Sequence, residues 1–555
     1  MNRRTFLQRT GVACFGFGLF GALAPRSRRA RDFDLLIRGG LVLDGSGAEG
    51  RRLDVAVQDG RIAALGDLSE AHADRILAAD GLVVAPGFID VHAHSEDELL
   101  VNPRAESKVR QGVTTEILGQ DGNSVAPLTA EMQAKLNESY RDTYGLTVDW
   151  YDFPGYFKRL QQSGTAVNVG TLVGQGTLRE YVVGLVDRPA SRQEFDRMQS
   201  LARAALAQGA LGISSGLEYT PGGFATREEL IHICRAMEFG KGLYATHMRD
   251  EADFVLQALD EAIEVARNAE VALHISHLKC MGQRNWSKLA TVFDKIQRAR
   301  YKGVSITMDR YPYTAYNTSL SSLFPLWARE GGDEAFLRRL RDPALLPKIR
   351  EATLSKVELI GSWDAVLITS VELEKNKPFL GKRVSQVVSG NGQEAFEFVR
   401  KLIIEENNGV DMCGFAMSEA NTRAILAHPA CMVASDASAR ADYGLLRHSH
   451  PHPRTYGTFP RVLAKYVREE HVLTLPEAVR KMTALPAARF GIRQRGRIRE
   501  GFFADLVLFD SAKIQDKATY SEPHRYPEGI EFVLVNGQIV VEQGAHTGAL
   551  PGQIV

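Results

Sequence analysis

The chain has 555 residues, 44% apolar and 24% charged, which is the composition of a soluble globular protein too long for one small core. Lys+Arg and Asp+Glu are equal at 67 each, so overall charge gives no basis for binding nucleic acid or an acidic membrane. Any recognition of charged groups must be local.

Residues 1–31 stand apart from the rest. Asn2-Arg3-Arg4-Thr5-Phe6-Leu7-Gln8, followed by an apolar run from Gly11 to Ala24, has the form of a twin-arginine export signal. The run is too short and glycine-rich for a strong membrane span, so the expected location is the periplasm of a bacterium, with no stable span after processing. Ala22-Leu23-Ala24 offers small residues for cleavage, but Pro25 is unfavourable just after them. Cleavage elsewhere, or retention as an anchor, stays open. Beyond this segment, Cys234, Cys280, Cys413 and Cys431 show no CxxC spacing, which excludes a zinc ribbon or redox motif and leaves buried free thiols as the expectation.

From residue 33, short β-rich runs alternate with turns: Asp34 to Gly40, then Leu53 to Ile62, with Asp59-Gly60 as a hairpin signal. The pattern returns near the other end as Gly501 to Asp510 and Phe532 to Val540. Isolated hairpins are only marginally stable, so residues 32–85 and 490–550 are expected to form one small β-sandwich domain between them. Within 86–489, strand-like runs such as Ala166–Gly170, Leu211–Ser215, Gly242–His247, Val271–His277, Val304–Asp309 and Cys431–Asp436 alternate with helical patterns such as Arg192 to Gln208 and Asp253 to Arg267. The alternation predicts an α/β fold, a (β/α)8 TIM-like barrel. An open doubly wound sheet is the alternative, but it usually carries a glycine-rich phosphate turn, and none is present. Residues 320–428 are too long for one connection and are expected to hold a lid or inserted subdomain.

The apolar run Leu82 to Val91 ends in His92-Ala93-His94, and residues i and i+2 of a strand project to the same side. Neutral imidazole is a common zinc ligand. His247, His277 and Asp436 close later runs, and Asp121 follows Glu116–Gln120. Catalysis on such barrels sits at the C-terminal ends of strands. His92, His94, Asp121, His247, His277 and Asp436 are therefore expected to surround a metal. A lone strand-end Asp more often caps a helix, but six donors together favour a site. His274, three positions before His277, is expected to point the other way, towards the helix layer. His448, His450 and His452 lie among prolines and are expected to shape the pocket rim.

These residues carry a resemblance. His92-Ala93-His94, Gly112 to Gly122, Gly212 to Tyr219, His277-Leu278-Lys279, Tyr311-Pro312-Tyr313, Ser435-Asp436 and His452 to Arg461 resemble the D-aminoacylases (N-acyl-D-amino-acid deacylases) of the amidohydrolase superfamily, over about residues 33 to 540. The resemblance implies a metal-dependent barrel with a flanking β-sandwich that removes the acyl group from a small N-acyl-D-amino acid. It also implies one or two zinc ions, with His92, His94 and Asp436 at the more exposed position and His247 and His277 at the tighter one. Many members place a shared cysteine where Gly119-Gln120-Asp121-Gly122 stands here. A carboxylate should hold zinc less tightly than a thiolate and admit other divalent metals.

A bound metal brings the pKa of its water to about 7 and polarises the amide carbonyl. Asp436 is the expected general base, with service as a ligand only as the other reading. For the product's α-carboxylate, Arg454 is the best cation because a guanidinium grips a carboxylate at two points. Lys279 is a second cation, unless it pairs with a buried acid. Tyr311 or Tyr313 is expected to donate a hydrogen bond to the carboxylate or the oxyanion, unless it only packs. D over L selectivity follows from the resemblance alone. A D-residue dipeptidase or a cyclic amide hydrolase is the alternative. The cyclic amide relatives generally bridge their metals with a carboxylated lysine, which Asp121 disfavours. A metal-free barrel acting as a binding protein is disfavoured by the intact ligand set.

Overall fold

The computed structural model describes residues 32–238, 240, 242–388 and 392–555. The segment read as an export signal lies outside the described residues. No helix among the described residues is long and apolar enough to cross a membrane.

Both chain ends contribute to one mixed nine-stranded sheet. The strand Phe33–Val42 pairs antiparallel with Arg51–Gln58 and parallel with both Ala73–Ala78 and Val83–Pro86. A register shift between Ile37 and Gly40 interrupts the pairing with Arg51–Gln58. Val83–Pro86 then pairs antiparallel with Leu506–Phe509 from the far end of the chain. Leu35, Ile37, Val55, Val57, Val84, Leu506 and Leu534 pack into one buried cluster, so the two remote segments share a hydrophobic face that neither could bury alone.

The middle of the chain is α/β. Strands Phe88–Asp90, Val113–Leu118 and Asn168–Thr171 pair in parallel, and the chain runs on into Val173–Gly174. That strand leads a second parallel series through Ile213–Gly216, Leu243–His247, Ala272–Ile275, Ile306–Arg310 and Cys431–Val433. Beyond their ends the first and last strands are linked by an Ala93–Ala437 parallel bridge, with Asp436 N donating to His92 O at 2.9 Å. Ile89, Val91, Ile117, Leu243, Ala245, Met432 and Ala434 cluster with Phe490 on the inner face.

Amphipathic helices cover the outside. Arg192–Ala207 starts at a capping box between Ser191 and Glu194. Val255–Ala269 buries Val255, Ala258, Leu259, Ala262, Val265, Ala266 and Ala269, the three-to-four spacing of a helix with one apolar face. Cys234, Cys280, Cys413 and Cys431 are all buried free thiols.

The long connection forms a unit with its own core. Tyr316–Ser319 and Val366–Ser370 flank Asp411–Gly414 in an antiparallel sheet. Helices Gly332–Arg341, Leu346–Ile360 and Gly392–Glu405 cover it through Phe336, Leu340, Ile349, Val357, Phe396 and Val399. By its sheet this unit spans 316 to 414, beginning before and ending earlier than 320–428. The helix Glu419–Ala427 packs instead on the strand Cys431–Val433 and belongs with the parallel strands.

Candidate metal centre and active site

Gly119 and Gly122 bracket Asp121 at φ +71° and +79°. A Cβ on Gly119 would lie 2.1 Å from Leu172 O, and one on Gly122 would lie 2.6 Å from Gly216 N. Only glycine lets this turn sit so close to the neighbouring strand ends. Asp121, His277 and Asp436 themselves hold left-handed backbones, at φ +52°, +34° and +51°. Each such conformation costs about 1–3 kcal/mol, and strain of this kind gathers at functional sites.

All six strand-end donors converge. Asp121 Oδ2 lies 3.5 Å from His92 Nε2, 3.5 Å from His277 Nε2, 3.8 Å from His94 Nε2 and 4.0 Å from His247 Nδ1. Asp436 Oδ1 is 3.2 Å from His94 Nε2 and 3.6 Å from His92 Nε2, and His247 Nδ1 is 3.1 Å from His277 Nε2. Most of these spacings are long for hydrogen bonds. They match ligands that share a cation, because two donors about 2.1 Å from one tetrahedral zinc are about 3.4 Å apart. His92 Nε2 and Asp121 Oδ1 are buried without any hydrogen-bond partner, as unspent ligand atoms would be.

The electrostatics agree. Burial would raise the Asp121 carboxyl, but His92 and His277 hold it well below the usual range. Asp436 behaves alike: burial opposes, and Arg454 first, then His92, hold it well down. Burial and Lys279 both disfavour a charged His277, yet Glu251 and Asp121 carry it up to about 9. Positive charge is favoured at the centre of this cluster.

Residues behind the donors fix their orientation. His277 Nδ1 lies 3.0 Å from Glu251 Oε1, and a carboxylate behind a ligating imidazole sets its ring and tautomer. Asp309 Oδ1 accepts from His277 N at 2.8 Å, and its Oδ2 lies 3.5 Å from His92 Nδ1 and 2.9 Å from His274 Nε2. His274 therefore does not face the helix layer. It points inward, edge-on to Phe490 at 5.4 Å. The strand ends at Ile275, and the positive φ of His277 breaks the alternation that the sequence reading extrapolated.

The cluster opens into a cavity of about 730 Å³. The lining from the parallel strands and the segments after them includes Tyr219, His247, Lys279, Tyr311, Asp436 and Arg454, and the inserted unit adds Tyr316, Asn317, Thr318, Lys356 and Thr369. Arg454 NH1 donates to Asp436 Oδ2 at 2.8 Å, its NH2 reaches Asn317 O only at 3.4 Å, and its Nε has no partner. Lys279 is at the cavity but is held by Glu251 at 2.7 and 2.8 Å. Tyr311 also lines the cavity, under the Arg454 guanidinium at 4.6 Å.

Tyr313 takes the packing role. It is absent from the cavity wall, and its hydroxyl donates to Pro453 O at 3.4 Å, because its ring packs against His452 and Arg461 instead. Of the histidine tract, His448 and His452 line the cavity and His450 does not. His450 donates to Tyr520 O, and His452 donates to Ala315 O while accepting from Arg454 N.

Residues 75–309 and 423–541 match the amidohydrolase family, and the break between them falls on the inserted unit. A D-aminoacylase of Alcaligenes xylosoxydans xylosoxydans is 36% identical over 535 residues, covering 95% of this chain and 98% of its own. An N-acyl-D-glutamate deacylase of the same organism is 37% identical over 527 residues, covering 94% and 96%. The crystal structure of N-acyl-D-glutamate deacylase from Bordetella bronchiseptica, with zinc and a phosphonate mimic of the tetrahedral intermediate, matches at a TM-score of 0.79 and 35% identity over 94% of this chain and 99% of its own. The chain belongs to the D-aminoacylase family of amidohydrolases. A D-hydantoinase at 15% identity and a TM-score of 0.51 shares the fold alone.

For a D-aminoacylase-family chain, two acidic residues stand out that the sequence reading did not select. Glu251 lies four residues past His247, beyond the strand and in a bend. Glu218 sits 3.8 Å from His247 Nε2 and 3.5 Å from Lys356 Nζ. Burial would raise the Glu218 carboxyl, but Lys356 and then His247 bring it down to about 2. Glu218 lies two residues past the strand Ile213–Gly216, in the stretch Gly212 to Tyr219.

Proposed function

We propose that this chain is a zinc-dependent deacylase that hydrolyses the amide of small N-acyl-D-amino acids. The observation that carries the reading is the gathering of six strand-end donors, with four histidines within 4.0 Å of one Asp121 oxygen and Asp436 against two of them, at the floor of a cavity that also holds a partly unspent arginine. His92, His94 and Asp436 would hold one ion and His247 and His277 another, with Asp121 shared. His92, Asp121, His277 and Asp436 form one close donor group, and His247, Glu251 and His277 a second. The all-nitrogen-and-oxygen donor set also suits other divalent metals. When bound, such a cation supplies acidified water and a polarised carbonyl.

The chain's own residues do the rest. Arg454 and His92 keep Asp436 ionised, so its Oδ1 can take the proton of the attacking water and hand it to the leaving nitrogen. The unpartnered Nε of Arg454, with an NH2 held only by Asn317 O at 3.4 Å, is available to grip the α-carboxylate. Tyr311 stands beside it as a donor, and Lys279 adds positive potential from its place on Glu251. In this reading the parallel strands form an eight-stranded (β/α)8 barrel, supported by the Ala93–Ala437 bridge between first and last strands. The two-ended sheet folds over its buried cluster as a β-sandwich. Export to the periplasm is part of the proposal and rests on the twin-arginine pattern at residues 2–8.

The test is a panel of paired D and L N-acyl amino acids with acidic, neutral and apolar side chains, run with the zinc-loaded and the chelated protein. At least one D-substrate should turn over, its L-partner should not, and chelation should abolish turnover until zinc is restored. Turnover that survives complete metal removal would sink the reading.

A further inference from the structure

A fully buried lysine stands behind the catalytic strand ends, outside the cavity. Lys108 lies in the one-turn helix Glu106–Val109, ahead of the turn into the strand Val113–Leu118, and its ammonium is enclosed by four oxygens: Asp90 Oδ2 at 2.8 Å, Glu116 Oε1 at 2.8 Å, Ser435 Oγ at 2.9 Å and Ala437 O at 2.8 Å. Two of these oxygens belong to the immediate neighbours of Asp436, one on each side. A third belongs to Asp90, two residues before His92, whose Oδ1 also accepts from Ser435 N at 2.9 Å. The fourth, on Glu116, accepts from Ser95 Oγ, next to His94, at 2.9 Å. Lys108, Asp90, Glu116, Ser435 and Ser95 are each 0% exposed.

We propose that Lys108 is a positioning residue for Asp436, pinning Ser435 and Ala437 so that Asp436 keeps its left-handed backbone and its carboxylate stays aimed at His92 and His94. The physical case is that a φ of +51° at an aspartate does not persist unless its surroundings over-determine it. An ammonium held by both flanking residues and by the strand end carrying His92 does this. Outer contacts of this kind typically change metal affinity or activity by about 10–100-fold. The inference rests on the deacylase reading for its catalytic consequence, but not for its metal readout.

The experiment compares Lys108→Met, the charge-relieved Lys108→Met/Glu116→Gln, and Lys481→Met. Lys481 is a second buried lysine that holds the opposite end of the same last strand, through His428 O and Cys431 O. Each variant is assayed for unfolding midpoint, zinc affinity by chelator competition, and kcat and KM separately. The expected result is that a folded Lys108 variant loses about 10–100-fold in kcat and in zinc affinity with KM little changed. Lys481→Met should lose only unfolding midpoint. A folded Lys108 variant with wild-type kcat and zinc affinity overturns the proposal. So does failure of both Lys108 variants to fold, which would make the lysine structural. If the wild-type chain binds zinc but cleaves no N-acyl-D-amino acid, the deacylase reading fails while zinc affinity still decides the role of Lys108.

Discussion

Glu251→Gln removes one buried charge while preserving side-chain shape. Glu251 now serves two partners: its Oε1 lies 3.0 Å from His277 Nδ1, and both oxygens accept from Lys279 Nζ at 2.7 and 2.8 Å. Glutamine keeps one acceptor oxygen, which in the place of Oε1 still meets both His277 Nδ1 and Lys279 Nζ, but Lys279 loses its second bond and its buried counter-charge, and His277 faces a neutral amide in place of a carboxylate. Breaking a buried ion pair from one side costs about 3–5 kcal/mol. Losing the carboxylate behind a ligating imidazole weakens metal binding by about 10–100-fold, or about 1.4–2.8 kcal/mol. The two losses separate experimentally. Denaturant unfolding of the metal-free protein reads the ion pair alone, and chelator competition for zinc reads the imidazole. At one saturating zinc concentration the variant should lose the second increment on top of the first, because a ligand stabilises the folded state by RT ln(1 + [L]/Kd). Wild-type zinc affinity in a folded Glu251→Gln protein would refute the claim that Glu251 orients His277.

Three further outcomes follow from the same geometry. Asp436→Asn should remain folded and lose about 10²–10⁴-fold in kcat; activity undiminished in steady-state assays would exclude the base role. Arg454→Ala should raise KM about 10–100-fold, the scale of one charge-assisted hydrogen bond at about 1.5–3 kcal/mol, with a smaller change in kcat. An unchanged KM would remove the guanidinium from the α-carboxylate. Tyr313→Phe should keep kcat/KM within about twofold and cost at most about 1 kcal/mol of stability, the worth of one neutral hydrogen bond. A tenfold loss of activity there would restore Tyr313 to the site.

The convergence of the six donor side chains was legible because it obeys local rules. His92 and His94 stand two residues apart just past Asp90, where the strand stops, and His247, His277 and Asp436 each stand where an apolar run stops. The shared sheet of the two ends was legible for a similar reason, since hairpins that cannot survive alone must find partners. What escaped was whatever depends on leaving regular geometry. The turn at Ser276–His277 reverses the parity that placed His274 outside. Glu251 reaches His277 from a bend after the strand, and Lys356 reaches Glu218 from a helix of the inserted unit. Tyr311 and Tyr313 flank a proline with no periodicity to sort them, and only their packing against Arg454 or Arg461 tells them apart.

The cavity is assembled from two pieces of different construction: its floor from parallel strand ends, and part of its wall from Tyr316–Thr318, Lys356 and Thr369 on a unit with its own hydrophobic core. The bond-breaking apparatus and the surface that meets the rest of the substrate can therefore diverge at different rates. Exchange or redesign of residues 316–414 would remake that wall and leave the six strand-end donors in place, provided the contacts of Asn317 with Arg454 and of Lys356 with Glu218 are kept.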